Sequence, residues 1–95
     1  HETSRVLPDG SVEADATVDM EDAFALVGFE DPTRFDFNHK LLGEWVYEQL
    51  GRPPREGDVL TYHGLTIRVA AMRGRRLLRL QLRLPDGDGK EAADA

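Results

Sequence analysis

Ninety-five residues, 40% of them hydrophobic, suffice for one hydrophobic core and exclude a second domain. The formal charge of −6 at pH 7 opposes general nucleic-acid affinity, which depends on clustered cations that release counterions. With no cysteine, disulfides, thiolate metal sites and cysteine nucleophiles are excluded, which suits a reducing compartment, and no apolar run approaches the roughly 20 residues that span a bilayer.

No charged-then-apolar leader opens the chain, so a soluble protein is expected, and the start at His1-Glu2-Thr3-Ser4 reads as the end of an excised piece. The segment Arg5–Ala14 places an Asp9-Gly10 turn between two short extended runs, a hairpin signal in which Pro8 makes the first run an edge strand at best. Asp19 caps a helix with Met20, Ala23, Phe24 and Val27 on one stripe and Gly28 as its stop. Residues 29–37 read as an acidic loop broken by Pro32, with Phe35 and Phe37 entering the core. Asn38 is the expected cap of a second helix carrying Leu41, Leu42, Trp45, Val46 and Leu50, closed by Gly51. Gly43 lies inside that helix at a cost of about 1 kcal/mol, which anticipates close approach of a neighbouring element.

After Pro53-Pro54 the period changes from helical to alternating. Three strands of an antiparallel meander are expected, from about Asp58 to Tyr62, from Leu65 to Ala71, and through Leu78, Leu80, Leu82 and Leu84, with turns at His63-Gly64 and Gly74. Those four leucines are expected to face the core, opposite Arg79, Gln81 and Arg83. Beyond Pro85 the tail has no apolar periodicity and reads as disordered. The fold class is therefore α+β: a mainly antiparallel sheet, made of an N-terminal hairpin and a C-terminal three-stranded meander, with two helices on one face.

Charge is distributed unevenly along this framework. Residues 1–50 carry a balance of −9, residues 51–84 a balance of +6, and the last 11 residues a balance of −3. Acidic and basic halves can attract one another within a chain or between chains. Arg68, Arg79 and Arg83 share the polar strand face, with Arg73, Arg75 and Arg76 clustered at the adjoining turn. They form a candidate surface for phosphates, an acidic partner or an anionic membrane face, against the plainer reading of solvation or pairing with the acidic half. Glu30, Asp31 and Asp36 are the candidate metal ligands, although their spacing matches no calcium loop. Asp19, Glu21 and Asp22 are explained by the helix dipole, and His39 and His63 have no partner at a ligand spacing. Ser4 and Ser11 lie in no nucleophile elbow, so no enzyme is expected.

Several strings nevertheless resemble one family, the CorC/HlyC transporter-associated domain of bacterial CBS-domain hemolysins and magnesium and cobalt efflux proteins. The resemblance spans about residues 5–84 and leaves 1–4 and 85–95 as flexible ends. It is carried by Asp9-Gly10-Ser11, by Met20 to Gly28 ending in ALVG, by Leu50-Gly51-Arg52 with Pro54, and by Gly57-Asp58, Tyr62, Gly64-Leu65 and Gly74-Arg75-Arg76. Two places depart from it: Asp15-Ala16, where the family often has Gly, and Gly43-Glu44, where it has a small residue followed by Gly.

The resemblance implies a cytoplasmic domain of a bacterial inner-membrane protein, following a paired CBS module and a membrane region, and acting as a non-catalytic modulator of ion transport. A homodimer is expected, with the CBS module and membrane domain of the parent as partners, no nucleic acid and no direct membrane insertion. The fold is also similar to part of flavin-dinucleotide-binding domains. FAD or an adenine nucleotide at Arg68, Arg79 and Arg83, and a divalent cation at Glu30, Asp31 and Asp36, are therefore the alternative ligands.

Overall fold

The computed structural model describes residues 4–33 and 40–85. Five strands and two helices follow in the order β1 (Ser4–Val6), β2 (Val12–Asp15), α1 (Met20–Val27), α2 (Leu42–Leu50), β3 (Val59–Tyr62), β4 (Leu65–Arg73) and β5 (Arg76–Arg83). The strands form one antiparallel sheet in the order β1-β2-β5-β4-β3. Hairpin and meander are thus joined through β2 and β5, and the expected α+β fold with both helices on one face is the one observed.

Strand alternation builds the two faces. Val6, Val12, Leu82, Ile67 and Leu60 stand in register across all five strands, and Val12, Leu82 and Ile67 are fully buried. One residue away, the row Arg5, Glu13, Gln81, Arg68 and Val59 crosses the opposite face. This is the period of two that separates a core face from a solvent face. Burying Leu65, Ile67, Leu80 and Leu82 contributes roughly 1.5–3 kcal/mol for each side chain.

α1 forms as its sequence indicates. The Asp19 carboxylate accepts the Glu21 N–H at 2.9 Å, Met20, Ala23, Phe24 and Val27 face the core, and Gly28 closes the helix at φ 85°. α2 starts later than an Asn38 cap would place it. Its N-cap is Leu41, and Asn38 itself lies outside the described residues, as do Phe35 and Phe37. The reason is that backbone replaces the side-chain cap. The Leu42 and Gly43 N–H groups donate to the carbonyls of Val18 and Ala16, both at 2.8 Å, and Glu44 accepts the Leu41 N–H at 3.1 Å. Helix-terminal donors that usually need a side chain or water are satisfied by the loop before α1.

That docking brings the two backbones into contact at Gly43. A Cβ there would lie 2.7 Å from the Ala16 Cβ and 3.1 Å from its carbonyl oxygen. The close approach anticipated from a glycine inside a helix is the one found.

The last strand departs from strict alternation. Pairing runs from Thr66 with Arg83 to Val69 with Leu80, then shifts so that Ala71 opposes Arg79 and Met72 opposes Leu77. Ala70 and Leu78 are each left without a partner in this ladder, and the Leu78 carbonyl accepts the Ala16 N–H at 2.9 Å. Leu77 is therefore the buried residue and Leu78 is only half-buried, which corrects the expected row of four core-facing leucines. At the other end of β4 the turn is as expected, with His63 at φ 49° and Gly64 at φ 89°.

The outer edge of β4 beyond β3 is covered by the loop that precedes β3. Gly57 donates to the Val69 carbonyl and Val69 to the Asp58 carbonyl, both at 2.8 Å, and the Glu56 carboxylate accepts the Met72 N–H at 3.3 Å.

Gly43→Ala is expected to destabilise the fold by about 1–3 kcal/mol through overpacking, despite the roughly 1 kcal/mol gain in helix propensity. Adding Ala16→Gly should recover part of the loss. Urea denaturation of both variants checks this, and a Gly43→Ala protein as stable as its parent would disprove the close-contact account.

Candidate functional site

Two surfaces carry the residues singled out by the sequence. The first is the loop after α1. Phe29 turns back into the core, where Phe24, Phe29, Trp45 and Tyr62 form an aromatic cluster with ring centroids 4.9–6.5 Å apart. Edge-to-face and offset contacts of this kind add to the burial energy of the rings. Tyr62 is held at the rim of the cluster, with the His63 ring edge-on at 4.6 Å.

Asp31 ties the loop to this cluster. Its Oδ1 accepts the Thr33 N–H at 2.8 Å and the Thr33 hydroxyl at 2.7 Å, and its Oδ2 accepts the Tyr62 hydroxyl at 2.9 Å. The local half of the arrangement, Asp-Pro-Thr, is a side-chain-closed turn. The distant half, across 31 positions, has no signal in the local pattern.

Burial raises the Asp31 pKa, but the hydrogen bonds from Thr33 and Tyr62 and the charge of His63 outweigh it, so the carboxyl titrates below its ordinary 3.8. Burial is the leading reason that Tyr62 titrates above its ordinary 10.0, and the neighbouring Asp31 charge acts in the same direction.

Of the three candidate metal ligands, Glu30 is exposed, Asp31 has hydrogen bonds on both oxygens, and Asp36 lies outside the described residues. Glu21, Glu30 and Asp31 border an open cavity of about 410 Å3 floored by Phe24 and Phe29. Among the described residues no group of three or more acidic or histidine side chains converges as a metal site. The described donors therefore do not by themselves fit a resident cation.

The second surface is the uncovered face of the sheet. Arg68, Arg79 and Arg83 all lie on it, as alternation requires, but their surroundings differ. Arg79 bonds Glu13 at 2.9 Å and lies 3.5 Å from Asp15, and Arg5 bonds the same Glu13 oxygen at 3.0 Å. Arg83 is exposed and contributes to holding the Asp9 carboxyl below its ordinary value, behind the stronger effect of the Ser11 hydrogen bonds. Arg68 is exposed and, among the described residues, forms no ion pair. Part of the basic half is therefore neutralised by the acidic half of the same chain, and Arg52 pairs within the basic half, with Asp58 at 2.9 Å.

Comparison with known proteins identifies the class to which this fold belongs. The family model described as the transporter associated domain, CorC_HlyC, matches residues 5–86, and the chain belongs to that family. Among similar solved structures is the CorC_HlyC domain of a Xylella fastidiosa Temecula1 hemolysin, in complex with Mg2+ and Mn2+. It is 24% identical, with a TM-score of 0.72 over 88% of this chain and 99% of that one. The CorC_HlyC domain from Nitrosomonas europaea is 16% identical, with a TM-score of 0.76 over 90% of this chain and 99% of that one. The transporter associated domain of a CBS domain protein from Porphyromonas gingivalis is 20% identical, with a TM-score of 0.72 over 87% and 98%. This is accordingly a transporter-associated domain of the CorC/hemolysin type, and no helix among its described residues is long and apolar enough to cross a membrane.

Asp31 and Tyr62 set opposite ends of a pH window. A carboxyl with a lowered folded-state pKa adds stability that is present above about 3.8 and is lost as pH falls through the folded value. A phenol with a raised one adds stability that is present below about 10.0 and is lost as pH rises through its folded value. Asp31→Asn and Tyr62→Phe are each expected to lower stability by about 1 kcal/mol at neutral pH. Asp31→Asn should also flatten the acid limb of the stability profile. Chemical denaturation across pH 2–11 checks this (about nine points suffice), and an unchanged acid limb would refute the assignment.

Proposed function

We propose that the chain is a non-catalytic accessory domain of a membrane ion-transport protein of the magnesium/cobalt efflux or hemolysin type, on its cytoplasmic side, modulating transport through assembly or regulation. The observation that carries this reading is the family match over residues 5–86, supported by solved domains of the same fold that this chain spans almost end to end. The P. gingivalis relative comes from a CBS domain protein, which supports a CBS module as the neighbour in the parent. The chemistry agrees with such a role: part of the charge is spent on internal pairs, and the exposed sheet face offers Arg68, Arg83, Thr61 and Val59 for docking.

Deleting residues 5–84 from the parent protein and following magnesium and cobalt efflux in cells tests the reading. Transport that persists with altered ion or nucleotide dependence is expected, and identical transport in every condition would count against it. The homodimer part is tested separately by light scattering at high protein concentration and low salt, where a persistent monomer removes it.

A second reading, a divalent cation at Glu30, Asp31 and Asp36, has the Mg2+ and Mn2+ complex of the Xylella relative behind it. Calorimetry with MgCl2 and MnCl2 decides: a saturable heat abolished by Glu30→Gln supports it, and a flat titration removes it. A flavin or adenine nucleotide at Arg68, Arg79 and Arg83 has no such observation, and Arg79 is already engaged by Glu13 and Asp15.

A further inference from the structure

The β4–β5 hairpin outruns its neighbours. β2 pairs with β5 only over Arg79–Leu82, and β3 pairs with β4 only over Leu65–Arg68. From Met72 to Leu77 the hairpin is a two-stranded ribbon with no strand beside it. Such ribbons are marginal when isolated, and this one begins where the paired register shift falls.

Its tip concentrates unneutralised charge. Arg73, Arg75 and Arg76 fall within four positions around Gly74, all three are exposed, and among the described residues none forms an ion pair. By contrast, Arg5, Arg52 and Arg79 each meet a carboxylate. Behind the tip is an open cavity of about 480 Å3 with Ala16, Gly43 and Leu77 in its lining, Arg75 and Arg76 at its border and Tyr47, 44% exposed, beside them. Glu44, in the cavity wall, accepts the Leu41 N–H, and Glu56 accepts the Met72 N–H, and neither forms an ion pair with the tip arginines among the described residues.

We propose that this ribbon tip is a peripheral docking site for an anionic phospholipid surface, with Arg73, Arg75 and Arg76 on headgroup phosphates and Tyr47 at the level of the lipid interface. Guanidinium groups bind phosphate oxygens through paired N–H donors, and tyrosine favours a site with one apolar and one wet side. Three cations at the end of a ribbon can meet a flat layer of phosphates together, whereas an acidic peptide is better held along a groove. The chain as a whole carries −6 and is repelled by an anionic surface, so attraction requires an orientation that turns clustered, unpaired arginines toward the lipid, as the tip-down orientation does. The contact rests on the headgroups and requires no insertion. The proposal draws on the reading of a membrane-embedded parent. Vesicle binding is measured on the 95-residue chain alone, so its failure leaves that reading standing, and an unchanged efflux phenotype would leave the vesicle result standing.

The test is co-sedimentation of the chain with vesicles of pure phosphatidylcholine and with vesicles containing phosphatidylglycerol, at low and high salt. Binding is expected only with phosphatidylglycerol, and it should weaken as salt rises. The triple variant R73E/R75E/R76E should lower partition by roughly a hundredfold. The double variant R68E/R83E, on the sheet face, should lower it by no more than about threefold, because those charges stand farther from the surface. Far-UV circular dichroism confirms that the variants are folded. Equal binding to phosphatidylcholine, no binding at millimolar phosphatidylglycerol, or equal losses in the two variants would overturn the proposal. A soluble polyglutamate that binds through the same arginines and displaces the vesicles would assign the tip to an acidic protein instead, and would also overturn it.

Discussion

The structure depends on one backbone contact, where the start of α2 meets the loop that leads into α1. Leu42 and Gly43 donate to Val18 and Ala16, and Met20 donates in return to the Lys40 carbonyl at 3.0 Å. These bonds satisfy donors at the first turn of each helix and fix how the two helices lie together on the sheet. Trp45, one turn into α2, then reaches Phe24 and Tyr62, and the aromatic cluster closes. A side chain at position 43 separates the two backbones, and every later contact inherits that displacement. Ala16 and Gly43 are thus two sides of a single contact, so the spacing they set is judged jointly.

Electrostatics divides the molecule differently from the linear sequence. An acidic first half and a basic second half can attract one another within the chain or between chains. Folding realises this within the chain, because β2 from the acidic half pairs with β5 from the basic half, and Glu13 and Asp15 meet Arg79 across that seam. Such exposed pairs contribute little stability, but they remove cations from circulation. Among the described residues, three of the cations left without an ion pair, Arg73, Arg75 and Arg76, lie together where the β4–β5 ribbon has no strand alongside.

Much of the fold was legible in the sequence because it rests on short-range rules. The alternation in β4, the stripe of α1, Asp19 and Gly28 at its ends, and the His63-Gly64 turn each follow from local chemistry. Misreadings arose where tertiary hydrogen bonds replaced local ones. Leu77 took the core position expected for Leu78 because the ladder shifts beside Ala16. Asn38 was expected to cap a helix whose donors are met by Val18 and Ala16. At the site, alternation placed Arg68, Arg79 and Arg83 on one face, but nothing in the linear pattern revealed that Glu13 and Asp15 occupy Arg79. The acidic loop marks Asp31 as a candidate metal ligand, while its bond to Tyr62 depends on packing between distant segments.

The cover over β4 bears on the company this domain can keep. A sheet with two open ends is a template for adding strands from other chains, and the hazard grows when copies are crowded together. Here β1 has only three residues, and Gly57, Asp58 and the Glu56 carboxylate occupy the stretch of β4 that β3 leaves bare. At that stretch a neighbouring copy can add a strand only by displacing this loop. Along that part of β4, copies of the domain that crowd together meet through side chains, not by extending the ladder.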